Sequence, residues 1–574
     1  MGVRFRYGRR MRRFADRRDI LAVAVIGLIG VGIPLWLAAA AGAIGLPAID
    51  DWVYMRGALS LFRTGTIDMP GHTAASIGQL VMVQPLLWLS RGNPWAFTAF
   101  GLIMTLIGVV ATYLLARRFV GTGSAVMVVL LVEVFPGFAR ETASFMTDVP
   151  GYALAVVCLL LGTMWLEGGR RLTLVASLGA GLVALSVREF AIAAPVAVLV
   201  ASWARSQRGD RAWLAVASGA FAAGVAWVLM VAASLPGHAV PATPGGLGRM
   251  ILLAPAFVTL AAVLLPAMAL AIGRRMPTLT PSQIFLGAGL AGLTFVQPWG
   301  SWPGGGGNLW TPIGLVGDGL LLGFRDTVIS DRAWALSVQV ASFAAMLLAT
   351  LVLGWGQRNL TLVSSLSTAR NLLTRIARSP GGLLLLFIVA YAAELIGFAS
   401  VYGIWDRYLY LLVPAAAILL LRGRDQPSRF GRSLAFSHAA FVWLAVSAFV
   451  IAANSFAYDA ARWREGDVAV AMGYSAGTVD AGYEWVGYHA VGVGAPEDGD
   501  RGRGWFEDLM WPNPACATLR NSPLEGNAPR LIRVNRTAYR QFLFFGPAEP
   551  LYLYGVETDA CPQPPAAVVP ERVH

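Results

Sequence analysis

The chain has 574 residues, 56% of them hydrophobic and only 13% charged, with a mean hydropathy of +0.62. Apolar runs recur along most of this length, which excludes a soluble globular protein and describes a polytopic membrane protein. The formal net charge of +12 comes from arginine alone, the identity of every one of the 44 basic residues, and its clustering between apolar runs reports membrane orientation rather than a nucleic-acid partner.

Arginines crowd residues 1–18, so the reading begins with a basic cytoplasmic tail (1–19) ahead of an apolar segment over about 20–42. That segment is too long for a signal-peptide core and predicts an uncleaved anchor. The first outer loop, 43–94, opens on Ile49-Asp50-Asp51-Trp52-Val53-Tyr54. It continues through two interrupted apolar stretches, around 57–62 and 80–89, which predict helices lying along the interface; His72 between them reads as a loop residue. A full span over about 95–116 returns the chain to Arg117-Arg118.

Further arginine clusters, at 170–171, 205–211, 274–275, 358–378 and 422–432, then mark every second turn. This asymmetry predicts about thirteen spans within 20–453, with the N-terminus in the cytoplasm and the C-terminus outside. Gly304 to Gly307, in a long outer loop, is expected to act as a lid. Residues 454–574 form a polar extracytoplasmic segment long enough for one small core, and its alternating stretches, such as Leu551-Tyr552-Leu553-Tyr554, predict an α/β domain. Cys158 falls in an apolar span and reads as packing. Cys516 and Cys561 either form a disulfide outside the cytoplasm or stand as two thiols.

On this topology Asp50, Asp51, Glu141, Asp148, Arg188, Glu189, Asp406 and Arg407 all fall at the outer ends of spans, whereas Glu394 is the clear candidate for an acid at mid-depth. Ion pumps string charges through the membrane. Acids and arginines gathered on one side describe a cavity open to one compartment, as a membrane-embedded enzyme requires.

With a cytoplasmic N-terminus, DDWVY after the first span, interfacial helices in the first outer loop, TDVP in the next and a soluble domain after the last span, the chain resembles the GT-C glycosyltransferases. Within them it is similar to the protein O-mannosyltransferase and lipid A aminoarabinose transferase group, whose first motif is DExxY. Asp50 falls on the motif's Asp, Asp51 on its Glu and Tyr54 on its Tyr; Asp replaces Glu at the second position. The resemblance implies an inverting transfer of a sugar from a polyprenyl-phosphate donor to a lipid, glycan or protein acceptor on the outer side of the membrane, and the all-Arg, Ala- and Gly-rich usage points to a high-GC bacterium and so to its cytoplasmic membrane. An attacking hydroxyl needs a carboxylate to take its proton, the role given to Asp50, while Asp148 orients the acceptor, positions Asp50 or shares a metal with it. The departing phosphate suits a guanidinium, Arg407 first and Arg188 second, with Asp51, Tyr54, Glu189 and Tyr408 completing the substrate-binding set. No cofactor is expected to be required, although a divalent cation at Asp50 and Asp148 fits the wider superfamily.

Plainer roles stand beside these. Asp50, Asp51 and Asp148 all suit helix caps, Arg407 suits pairing with Asp406 or anchoring at the headgroups, and Arg188 with Glu189 suits a local ion pair. Trp485 to His489 suit either a sugar or a small-domain core. Two other functions remain open: a lipid-linked sugar transporter or flippase, which needs a polar path to the cytoplasm, and a surface-polysaccharide polymerase or ligase, which would carry its key residues in one large outer loop.

Overall fold

The computed structural model describes residues 17–69, 76–235, 253–272, 310–313, 321–360, 376–379, 381–399, 404–422, 431–489, 515–523, 531–543, 545–556, 561 and 572–573, with single residues at 281, 285, 289 and 374. The expected glycine lid and the basic tail before residue 17 lie outside them, as does His72.

Helix α1 (Arg17–Ala41) crosses first. Its middle turn, Leu28–Gly32, widens to a π-helix where Gly30 lies against Glu133: a Cβ on Gly30 would sit 2.6 Å from a carboxylate oxygen. Gly42, at a left-handed φ of 74°, closes the helix by donating to the carbonyls of Ala38 and Ala39. Then come the amphipathic α2 (Asp51–Thr64) and the short α3 (Ile77–Ser90), followed by α4 (Trp95–Arg117), α5 (Thr122–Glu133) and the single turn α6 (Phe138–Thr142). The bundle continues through α7 (Asp148–Gly168), α8 (Arg171–Val187), α9 (Ala193–Arg205), α10 (Arg211–Ser234), α11 (Leu253–Ile272), α12 (Asp331–Leu360), α13 (Gly382–Ala399), α14 (Leu412–Leu421) and α15 (Gly431–Ala471). Helix α7 packs between α4 and α8, while α11 contacts α12, α14 and α15.

Among the described residues, eight helices are long and apolar enough to cross a membrane, and four shorter apolar helices accompany them. The mixture of long and short apolar helices has a local reason. Helix α5 stops at Glu133 and gives way to α6 through Gly137, whose φ is 91°. Helix α8 ends where Arg188 turns extended, and a 3₁₀ turn, Glu189–Ile192, follows. Ahead of α14 stands a second 3₁₀ turn, Asp406–Leu409. Irregular backbone inside a membrane protein is tolerated where it is buried in protein or lines a cavity, and these three breaks meet at one end of the bundle.

The boundary expected at 453 falls inside α15, a continuous helix of 41 residues. At 1.5 Å per residue it is about 60 Å long, roughly twice the hydrocarbon thickness. Its first half packs in the bundle; its second half carries Tyr458, Ala461 and Trp463 into the core of a C-terminal module. That module holds helix α16 (Tyr483–His489) and strands β1 (Val479–Asp480), β2 (Ala517–Arg520), β3 (Leu531–Arg540), β4 (Ala548–Val556) and β5 (Arg572–Val573), ordered β1-β2-β4-β3-β5. The inner pairs are antiparallel and the two edge pairs parallel. Cys516 and Cys561 are joined by a disulfide, and Cys158 is buried among apolar side chains.

Candidate active site

Asp50 is delivered by a strained turn. Ile49 before it adopts a left-handed φ of 55°, which for a β-branched residue costs on the order of 1–3 kcal/mol. The Ile49 amide is held by donating to Glu484 Oε1 at 3.0 Å. Asp50 occupies the N-cap position of α2, where a carboxylate ordinarily folds back onto the helix amides, yet it makes no cap bond. Its Oδ2 accepts from Arg407 Nη2 at 3.0 Å and its Oδ1 from the Tyr483 hydroxyl at 3.0 Å.

Asp51 has the opposite fate. It is fully buried, and its two oxygens accept the amides of Ala48 and Phe145. Burial pushes it up to about 8, against the pull of Arg140 and of those amides. This carboxyl ties the turn before α2 to the segment before α7, so the expected substrate contact is replaced by a structural pin.

Asp148 is the first residue of α7, and no side chain caps that helix. Its Oδ1 lies 3.3 Å from Arg188 Nη2 and its Oδ2 3.8 Å from Arg407 Nε. Arg188 also donates to Thr147 Oγ1 at 3.1 Å and lies over the rings of Phe190 and Tyr408. The close crossing needs Gly151, because a Cβ there would lie 2.9 Å from Arg188 Cβ.

Arg407 comes from the 3₁₀ turn before α14. Asp406 holds that turn by accepting the amides of Arg407 and Trp310, which frees the guanidinium to reach the two distant acids. It spans Asp50 and Asp148 and is itself nearly buried, as are Arg188 and Asp148, whereas the Asp50 side chain keeps 34% of its surface exposed. Arg407 Nε and Nη1, Arg188 Nε and Asp148 Oδ2 are buried without a hydrogen-bond partner. Together with Gly151, Tyr152, Phe190, Ala191, Tyr391, Tyr408 and Leu411, these residues line a small pocket that opens to solvent.

Asp50, Asp148, Arg188, Arg407 and Tyr408 are thus brought together from four separate stretches of chain. Tyr54, one turn beyond Asp50 on α2, is buried close enough for Arg188, Asp50, Arg407 and Asp148 to act on it; burial keeps its hydroxyl protonated. Glu189 is only half-buried and does not border the pocket. Trp485 is in the module core, stacked on Trp463 and His489, so it offers no face to a ligand. Glu394 has one carboxylate oxygen buried without a partner.

Two tyrosines were missed by sequence reasoning. Tyr391 lies in an apolar helix, donates to the Tyr408 carbonyl at 2.6 Å and lines the pocket. Tyr483 belongs to the C-terminal module. No local pattern marks either one, because their partners are far away in the chain.

Chemically the site offers a partly exposed carboxylate beside two buried guanidiniums with unused donors. Such a pair suits an anion with several acceptor oxygens. A divalent cation between Asp50 and Asp148 does not fit, since Arg407 occupies the space between the two acids. Among the described residues, no group of three or more His, Cys, Asp or Glu side chains stands together as a metal set.

No protein-family model matches the sequence, and no curated protein matches it. Among solved structures the chain is similar to ArnT from Cupriavidus metallidurans bound to undecaprenyl phosphate, at 13% identity and a TM-score of 0.39 over 81% of this chain and 84% of that one. It is similar to the apo state of the same protein at 13% identity and a TM-score of 0.35, covering 79% of each chain. It is also similar to the Archaeoglobus fulgidus oligosaccharyltransferase in complex with Zn and sulfate, at 13% identity and a TM-score of 0.34, over 78% of this chain and 56% of that one.

Proposed function

We propose that the protein is an inverting glycosyltransferase that uses a polyprenyl-phosphate-linked sugar, with Asp50 as general base and the two guanidiniums as the phosphate site. One observation carries the reading: Arg407 joins Asp50 to Asp148 through Nη2 and Nε while its buried Nη1 has no hydrogen-bond partner. A buried cation with an idle donor is costly, and a phosphate oxygen would satisfy it. The site supplies a carboxylate for the acceptor hydroxyl on one face of the anomeric carbon and guanidiniums for the phosphate leaving from the other.

In the proposed step an acceptor hydroxyl oxygen attacks the anomeric carbon, and its proton passes to the Asp50 carboxylate. The new C–O bond forms as the bond to the phosphate oxygen breaks. The lipid phosphate leaves with the electron pair, and Arg407 and Arg188 take up its charge. Asp148 keeps both guanidiniums aimed at the pocket. The donor's chain would lie among the apolar helices, and the acceptor would approach the exposed edge of Asp50 from the outer face of the cytoplasmic membrane.

The test uses purified full-length protein, undecaprenyl phosphate carrying radiolabelled mannose, arabinose or glucosamine, and a membrane extract as acceptor source. Asp50→Asn is expected to lower transfer by roughly 10²- to 10⁴-fold, the usual worth of a general base, while binding of undecaprenyl phosphate persists. Arg407→Ala is expected to weaken that binding by about tenfold or more, as loss of a charge-assisted contact does. An Asp50→Asn protein that transfers at the wild-type rate removes the proposed base.

A further inference from the structure

The least expected contributor to the site comes from the C-terminal module. Helix α16 follows a turn in which Asp480 accepts the amide of Gly482, and it lies directly on the start of α2. Gly487 allows the approach, since a Cβ there would meet the Trp52 ring at 2.4 Å. Arg56 donates to the Gly487 carbonyl at 3.0 Å, and the Tyr483 ring meets Trp52 edge-on at 5.9 Å.

Around the acid of interest, three consecutive residues are each held by a different part of the molecule. The strained Ile49 amide is fastened to Glu484 of α16. Glu484 is locked in turn by Arg462 Nη1 at 2.8 Å, and Arg462 reaches Asp459, which also takes Arg140. Asp51 is pinned to Phe145. Asp50 lies between them, with Arg407 on one oxygen and the Tyr483 hydroxyl on the other.

A carboxylate with one fixed partner still rotates about its last torsion, whereas donors on both oxygens fix its plane. Each oxygen has two lone pairs, so these bonds leave a free acceptor position on the exposed edge. Resting on the reading of Asp50 as base, we infer that Tyr483 is a positioning residue for the reaction, its hydroxyl orienting the carboxylate toward the incoming acceptor hydroxyl. The module therefore completes the site.

Tyr483→Phe tests this with little threat to folding, because the ring keeps its packing on Trp52. In the transfer assay above, the variant should lose roughly tenfold in kcat, the scale of a misoriented catalytic group, with the donor KM and the melting temperature unchanged. In an Asp50→Asn background the same change should have no further effect on the residual rate, since the tyrosine acts through the acid. A Tyr483→Phe enzyme with wild-type or higher kcat overturns the positioning role, as does a further drop in the Asp50→Asn background. Transfer at the wild-type rate by Asp50→Asn alone overturns the base reading as well, so the two failures are told apart.

Discussion

Asp50 and Asp51 are chemically identical neighbours that the fold treats in opposite ways. The first keeps a solvent-facing edge and is held by side chains; the second is sealed and held by backbone amides. Asp51 stands at about 8 in the folded protein against an ordinary value of 3.8. A carboxyl raised in this way contributes stability that is fully present below about pH 4 and lost as pH rises through 8, because the unfolded chain ionises first. The melting temperature of the wild type should therefore fall across that window, this one group accounting for at most about 1.4 kcal/mol per pH unit. Asp51→Asn should melt lower by about 1–3 kcal/mol, since its amide nitrogen would face an amide donor, but with a flatter dependence on pH. Equal slopes for the two proteins would sink the assignment. The sequence made the acidic pair visible as a place of interest. It did not rank its members, because the ranking depends on Phe145 and Arg407, far away in the chain.

At the scale of elements, the site is built where helices stop. Helices α5 and α8 end early and α14 begins late, and the irregular turns beside them bring Glu141, Arg188 and Arg407 to one place. Hydrophobic periodicity and arginine clusters locate the apolar segments, but neither reports where a buried helix breaks. Helix α15 runs unbroken past the boundary expected at 453, to Ala471, so one helix serves both bundle and module. The cap readings of Asp50 and Asp148 failed for a tertiary reason: arginines from other segments outcompete the local amides. The crossing of α7 with the Arg188 turn yields a prediction of its own. Gly151→Val should displace Arg188 from Asp148 and lower kcat/KM for transfer by about tenfold or more, about 1.4 kcal/mol or above, with Gly151→Ala affected less. Full activity in the valine variant would mean that this close approach is not needed.

Across the whole molecule, a run of buried charges, Arg140, Asp459, Arg462 and Glu484, fastens bundle to module. Composition foretold a module after the last span, and its sheet followed from alternating strands. Its share in the site was not legible, since Tyr483 and Glu484 look like ordinary residues of a small core. The separations along the chain bear on biogenesis. Asp50 is translated early, and its partners arrive 357 and 433 residues later. A nascent chain therefore carries the acid through nearly the whole of synthesis without its guanidinium or its tyrosine, and the cluster is assembled in a single late event, when the C-terminal module docks on the start of α2.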